Sequence, residues 1–158
     1  MSRASYAIAL VLLSWLLMQA VHEWGHVVGA WAAGGTVQRV VLHPLTISRT
    51  DVVDDARPLV TIWCGPILGA MLPLLVCLAG RCRWPLDQAL RFFAGFCLIA
   101  NGSYLAYGSF DGIGDAGELL EHGSPIWTLW LFGAITIPAG FGIWHRLGHR
   151  LGLGPATP

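Results

Sequence analysis

The sequence predicts an α-helical integral membrane protein, with about four transmembrane helices and a small β-hairpin between the first two. Three observations carry this. Hydrophobic residues make up 55% of the 158 positions and charged residues only 11%, against ~25% charged in an ordinary soluble domain. No charged side chain falls in 59–79, 92–110 or 126–144, and each stretch is close to the ~20 apolar residues that cross a bilayer as a helix. A fourth apolar stretch, 5–33, is interrupted by HEWGH at 22–26. The same composition excludes a disordered chain, which lacks apolar surface to bury. The formal net charge of zero gives no basic field for nucleic acid.

The helices are expected at about 5–33, 58–79, 86–108 and 125–145, within a single membrane-embedded domain over 1–158. Arg3 before an apolar run also resembles a signal peptide, but a cleavable leader has no use for two histidines and a glutamate. Residues 36–53 hold two β-rich runs around His43-Pro44 and read as a hairpin, with Asp51, Asp54 and Asp55 on its solvated side. Residues 80–85 are a short basic turn. Residues 109–124 are Gly-rich and acidic, with a short helix expected over 115–122, and Ser124-Pro125 suits the start of the last helix. Pro73 and Pro138 are expected to kink their helices.

Cysteines at 64, 77, 82 and 97 lack C-x-x-C spacing and read as small buried side chains rather than a zinc or disulfide framework. Tryptophans such as Trp15, Trp24 and Trp63 read as lipid-facing or interfacial anchors. His145 and His149, among Arg146 and Arg150, read as a basic interfacial cap.

The chemistry lies in His22-Glu23-Trp24-Gly25-His26. Positions i and i+4 share a helix face, so both imidazoles reach one metal ion. Zinc takes neutral imidazole and in catalytic sites keeps one position for water. Glu23, beside the first ligand, is placed to accept a proton from that water and deliver it to a leaving amine. Three ionisable groups inside an apolar helix are costly unless partnered, and a metal supplies the partner. A third protein ligand is needed. Asp87, Asp51, Asp54, Asp55, Asp111, Asp115, Glu118 and Glu121 are the acids to choose from. Four crossings put the end of helix one, the start of helix two, the end of helix three and the start of helix four on one side. Asp111 and Asp115 lie on that side with Gly65-Pro66 and Asn101, whereas Asp87 lies on the other.

HEWGH in a membrane helix, followed by a β-rich hairpin, Gly65-Pro66 and an Asp-Gly-type motif, resembles the site-2 protease family of intramembrane zinc metalloproteases. The resemblance covers roughly 10–122. It implies Zn2+ held by His22 and His26, with Glu23 as catalytic base. The family's third ligand is an aspartate in an Asn…Pro-x-Leu-Asp-Gly motif, matched here by NGSYLAYGSFDGIGDAGELL at 101–120 without the proline. Two registers fit. Asp115 leads into a hydrophobic helix, whose start it is also placed to cap, and is favoured; Asp111 keeps the direct Asp-Gly pair and is the alternative. Asn101 matches the family asparagine near the site and is assigned to substrate binding; its plain alternative is an inter-helix hydrogen bond. The resemblance implies a minimal form without a PDZ-like insertion.

The function so implied is hydrolysis of peptide bonds of transmembrane substrates within or near the bilayer, by a multi-pass protein of the cell membrane. An extended substrate is expected to pair with the hairpin edge. The rival readings are a proteolytically inactive metal-binding scaffold and a membrane hydrolase or transporter, the last disfavoured by the few polar residues in helices two to four. The arginine count, with Arg3, Arg81, Arg83, Arg146 and Arg150 on one side, favours cytoplasmic termini. The family commonly places zinc nearer the cytosol, which points to the opposite orientation.

Overall fold

The protein is described by a computed structural model, covering residues 3–80, 86–145 and 147. The elements run α1 (Arg3–Ala33), β1 (Thr36–Val41), β2 (Arg49–Val53), α2 (Pro58–Ala79), α3 (Leu86–Asp111), α4 (Gly114–Glu121) and α5 (Ile126–Trp144). α1, α2, α3 and α5 are the four helices long and apolar enough to cross a membrane. Leu12, Leu13, Leu16 and Leu17 of α1 and Leu131 and Ile135 of α5 face outward and exposed, the inverse of a soluble surface and suited to lipid. The basic turn with Arg81, Cys82 and Arg83, and Arg146, His149 and Arg150 of the tail, lie outside the described residues.

Small residues set the helix packing. A Cβ on Gly25 would stand 2.5 Å from the Cys64 carbonyl oxygen, and one on Gly29 2.7 Å from Cys64 Cβ. Gly25-x-x-x-Gly29 therefore lets α1 lie directly on the backbone of α2, the close approach that drives association where lipid removes the hydrophobic incentive. α3 and α5 pack by the same device: a Cβ on Gly140 would meet the Gly95 carbonyl at 2.7 Å. Pro66, Pro73 and Pro138 all sit inside continuous helices. Cys77 and Cys97 are buried, as expected, and Cys64 is half-buried.

α3 runs to Asp111, past its expected end at 108. The helix stops only where Gly112 takes φ +61 and the Ile113 N–H closes onto the Gly108 carbonyl at 3.2 Å, the left-handed glycine cap of a helix C-terminus. α4 follows at once, and Ala116 and Leu119 seat it in a core with Ile62, Leu105 and Leu129. Trp63 packs against this core and on Phe132 rather than facing lipid.

The hairpin is antiparallel, with Thr36 opposite Val53 and Val41 opposite Arg49, and a register shift between Val37 and Arg39. It folds back along α1 instead of projecting into solvent. Three α1 side chains at i, i+4 and i+8 spacing hold it. Trp15 Nε1 donates to the Pro44 carbonyl at 2.9 Å, Gln19 and Ser48 are hydrogen-bonded and buried, and Thr50 Oγ1 donates to Glu23 Oε2 at 2.7 Å. The tip thus reaches the level of Trp15, about 27 Å of helix back from Ala33 at 1.5 Å per residue. Backbone that is not helical is tolerated inside a membrane only against protein or a cavity; Ile47 and Ser48 of the hairpin line a cavity beside α1.

Candidate metal centre

His22, Glu23 and His26 are buried in the second half of α1. The two imidazoles leave one side of the helix toward α2, α3 and α4. His22 Nε2 lies 2.8 Å and His26 Nε2 3.2 Å from Asp115 Oδ2, and the two Nε2 atoms are 3.1 Å apart. This is the one group of three or more metal-ligating side chains among the described residues. Two imidazole nitrogens and a carboxylate oxygen are a donor set that zinc takes at about 2.0–2.2 Å. Their lone pairs, facing one another out of water, repel unless a cation or protons lie between them. The residues present fit a metal ion.

Each imidazole is held by its far nitrogen. The Asn101 amide nitrogen donates to the Cys97 carbonyl at 2.8 Å, so its oxygen must face His22 Nδ1, at 2.7 Å. An oxygen acceptor there requires Nδ1–H and leaves the Nε2 lone pair for a metal. The Thr61 carbonyl does the same for His26 Nδ1 at 3.1 Å. Two glycines of α2 leave the room. A Cβ on Gly65 would overlap the His26 ring, and one on Gly69 would stand 2.7 Å from Asn101 Oδ1. Gly65→Ala is therefore expected to destabilise the fold by about 1–3 kcal/mol and to displace His26. Gly142→Ala, where a Cβ meets nothing within 4 Å, is the control. Thermal unfolding in detergent and zinc titration of both variants check this.

Asp115 comes from the first turn of α4. Ile113, not Asp115, holds the N-cap position, and no side chain caps the helix. The carboxylate is turned to the histidines instead, and the Asp115 backbone N–H donates to Tyr104 Oη at 3.2 Å. The Tyr104 ring also packs edge-on against His22. Burial opposes ionisation of Asp115, but the two imidazoles facing its carboxylate outweigh it and hold the carboxyl below the usual carboxylate range.

Glu23 stands beside the converging atoms, its carboxylate held by Thr50 of β2. Two of the three cavities that it lines bear on the site. One, of about 460 Å³, has largely apolar walls and runs between α1, α3 and the hairpin tip past His22 and Asn101. The other, of about 610 Å³, is polar and is lined by Arg49, Thr50 and Asp51 of β2, by His26, and by Asp115, Glu118 and His122 of α4. In it, burial raises the Glu118 carboxyl above its ordinary value, with Asp115 adding to the effect.

The remaining acids lie elsewhere. Asp111, exposed at the end of α3, lines the apolar cavity and is not among the converging atoms. Asp87 is at the opposite end of α3, paired with Arg91 at 2.9 Å. Asp51 is paired with Arg39 at 2.8 Å and Arg49 at 3.1 Å, and the Arg39 guanidinium holds its carboxyl below the usual range. Asp55 accepts the Arg57 N–H at 2.9 Å. His43 Nδ1 accepts the N–H groups of Leu45 and Thr46 and shapes the hairpin turn.

Sequence reading overlooked Thr50, Tyr104 and Gln19. Only Gln19 left a signal, as a polar residue in an apolar helix four positions before Glu23. The chain matches no protein-family model, no curated protein and no solved structure.

Proposed function

We propose that this chain is an intramembrane zinc metalloendopeptidase similar to the site-2 proteases, cleaving a membrane-spanning substrate within or near the bilayer. The observation that carries the reading is the convergence of His22, His26 and Asp115 on one point, with a buried glutamate beside it, inside an apolar helix. His22, His26 and Asp115 would hold the ion. Zinc, when bound, supplies Lewis-acid polarisation of the carbonyl and lowers the pKa of water.

The chain's own residues do the rest. Glu23 takes a proton from the attacking water and returns it to the departing amine. Asn101 has both ends of its amide engaged, so its role in this reading is to hold His22 rather than to bind substrate. Water reaches Glu23 through the polar cavity. An extended substrate segment pairs with β2, whose residues 49–52 line that cavity beside the candidate metal ligands.

Thr50 fixes the Glu23 carboxylate through a charge-assisted hydrogen bond, a contact of about 1.5–3 kcal/mol. Thr50→Val is expected to lower kcat about 10-fold with KM and zinc content little changed, and Thr50→Ser to restore it. Steady-state kinetics on the three proteins check this.

The reading itself is tested with purified full-length protein in detergent and a model single-span substrate. Chelation is expected to stop cleavage, and added zinc to restore it. Cleavage that persists through chelation, with zinc shown to be gone, would overturn it. Zinc bound at one per chain with no cleavage would favour the inactive metal-binding scaffold.

A further inference from the structure

The apolar cavity has a graded lining. Its mouth is formed by exposed side chains, Tyr107 at 72% and Ile47 at 57%. Met18 lies deeper and is buried, and His22, Glu23 and Asn101 close the inner end. Ala100, a small residue on α3, is part of the wall. The polar groups at the inner end are already engaged: Asn101 with His22 and Cys97, Glu23 with Thr50, and Gln19 with Ser48. A polar ligand group entering between these largely apolar walls would lose water and meet polar groups that mostly have partners already, which is costly. An apolar group of ordinary side-chain size loses nothing. The volume of about 460 Å³ lies in the range of small-molecule clefts, about 300–1,000 Å³.

We propose that this cavity is the subsite for a large apolar side chain, of leucine, methionine or phenylalanine size, on the substrate residue next to the scissile bond. The inference rests on the metalloprotease reading and adds its specificity. The cavity reaches His22 and Glu23, so a carbonyl presented to the candidate metal ligands has its neighbouring side chain at the cavity's inner end. Met18 gives the wall an adaptable surface that accepts several shapes.

The test uses zinc-loaded full-length protein in detergent and a series of hydroxamates, which ligate zinc without turnover. Affinities are read by calorimetry for a methyl, a benzyl and a hydroxymethyl member. The benzyl compound is expected to bind about 30-fold more tightly than the methyl one, in line with apolar-pocket discrimination, and the hydroxymethyl compound to gain nothing. Ala100→Leu is expected to remove most of the benzyl gain over methyl. Ile47→Ala, at an exposed site where packing is not at stake, is expected to lose part of it. Equal affinity for methyl and benzyl in the wild type would overturn the subsite, as when a lipid chain fills the cavity. So would a benzyl gain untouched by both substitutions. Failure of every hydroxamate to bind the zinc-loaded protein would overturn the metal reading and the subsite together. Zinc-dependent cleavage without a benzyl gain would sink the subsite alone.

Discussion

Glu23→Gln is expected to lower cleavage of a membrane-spanning substrate by at least about 100-fold, the low end of what a general base contributes, while zinc stays bound. The amide is isosteric with the carboxylate, and its oxygen still accepts the hydrogen bond that Thr50 donates at 2.7 Å. The hairpin therefore keeps its seat on α1, and the His22, His26 and Asp115 atoms, which do not include Glu23, keep theirs. What is lost is basicity alone. Zinc stoichiometry measured beside single-turnover cleavage separates the two effects. A variant that cleaves at the wild-type rate removes Glu23 from the chemistry. Glu23→Ala is the poorer probe, because it also leaves the Thr50 hydroxyl only the longer contact with the residue 23 carbonyl, at 3.4 Å.

Asp115→Ala is expected to weaken zinc binding by more than about 100-fold, since loss of an outer-shell partner alone typically costs 10- to 100-fold. Alanine is a strong helix former, and the core contacts of α4 come from Ala116 and Leu119, so the helix itself should persist. Asp111→Ala is expected to leave zinc affinity unchanged, because its carboxylate is not among the converging atoms. Competition with a chromogenic chelator measures both. The opposite ranking would return the third ligand to the Asp-Gly register.

Much of this was legible in the sequence, for identifiable reasons. The four apolar stretches announce themselves by length, and His22 and His26 by i, i+4 spacing, because both signals are local. Helix parity sets Asp111 and Asp115 on the side of His22 and His26 and Asp87 on the other, because crossings can be counted; the choice between those two aspartates rests on the resemblance. The seat of the hairpin was not legible. It depends on pairings such as Glu23 with Thr50 and Gln19 with Ser48, across 27 and 29 positions. Such contacts follow from how tightly α1 meets α2, which Gly25 and Gly29 set. Gly69 reads as an ordinary small residue until the Asn101 amide beside it is in view, and Gly65, singled out with Pro66, gives no hint in sequence of the His26 ring it makes room for. The end of α3 was misjudged because Gly108 and Ser109 resemble the start of a loop, whereas the stop signal is Gly112.

The stripe of polar side chains on α1 bears on how the chain is made. The first helix leaves the ribosome carrying Gln19, His22, Glu23 and His26, and inserting such groups alone into hydrocarbon is unfavourable. Their partners arrive in sequence: Ser48 and Thr50 with the hairpin, Thr61 with α2, Asn101 with α3, and Asp115 last, 93 positions after His22. Among the described elements α1 comes first, and its polar groups are the last to be fully partnered. Its stable insertion waits until α4 has emerged.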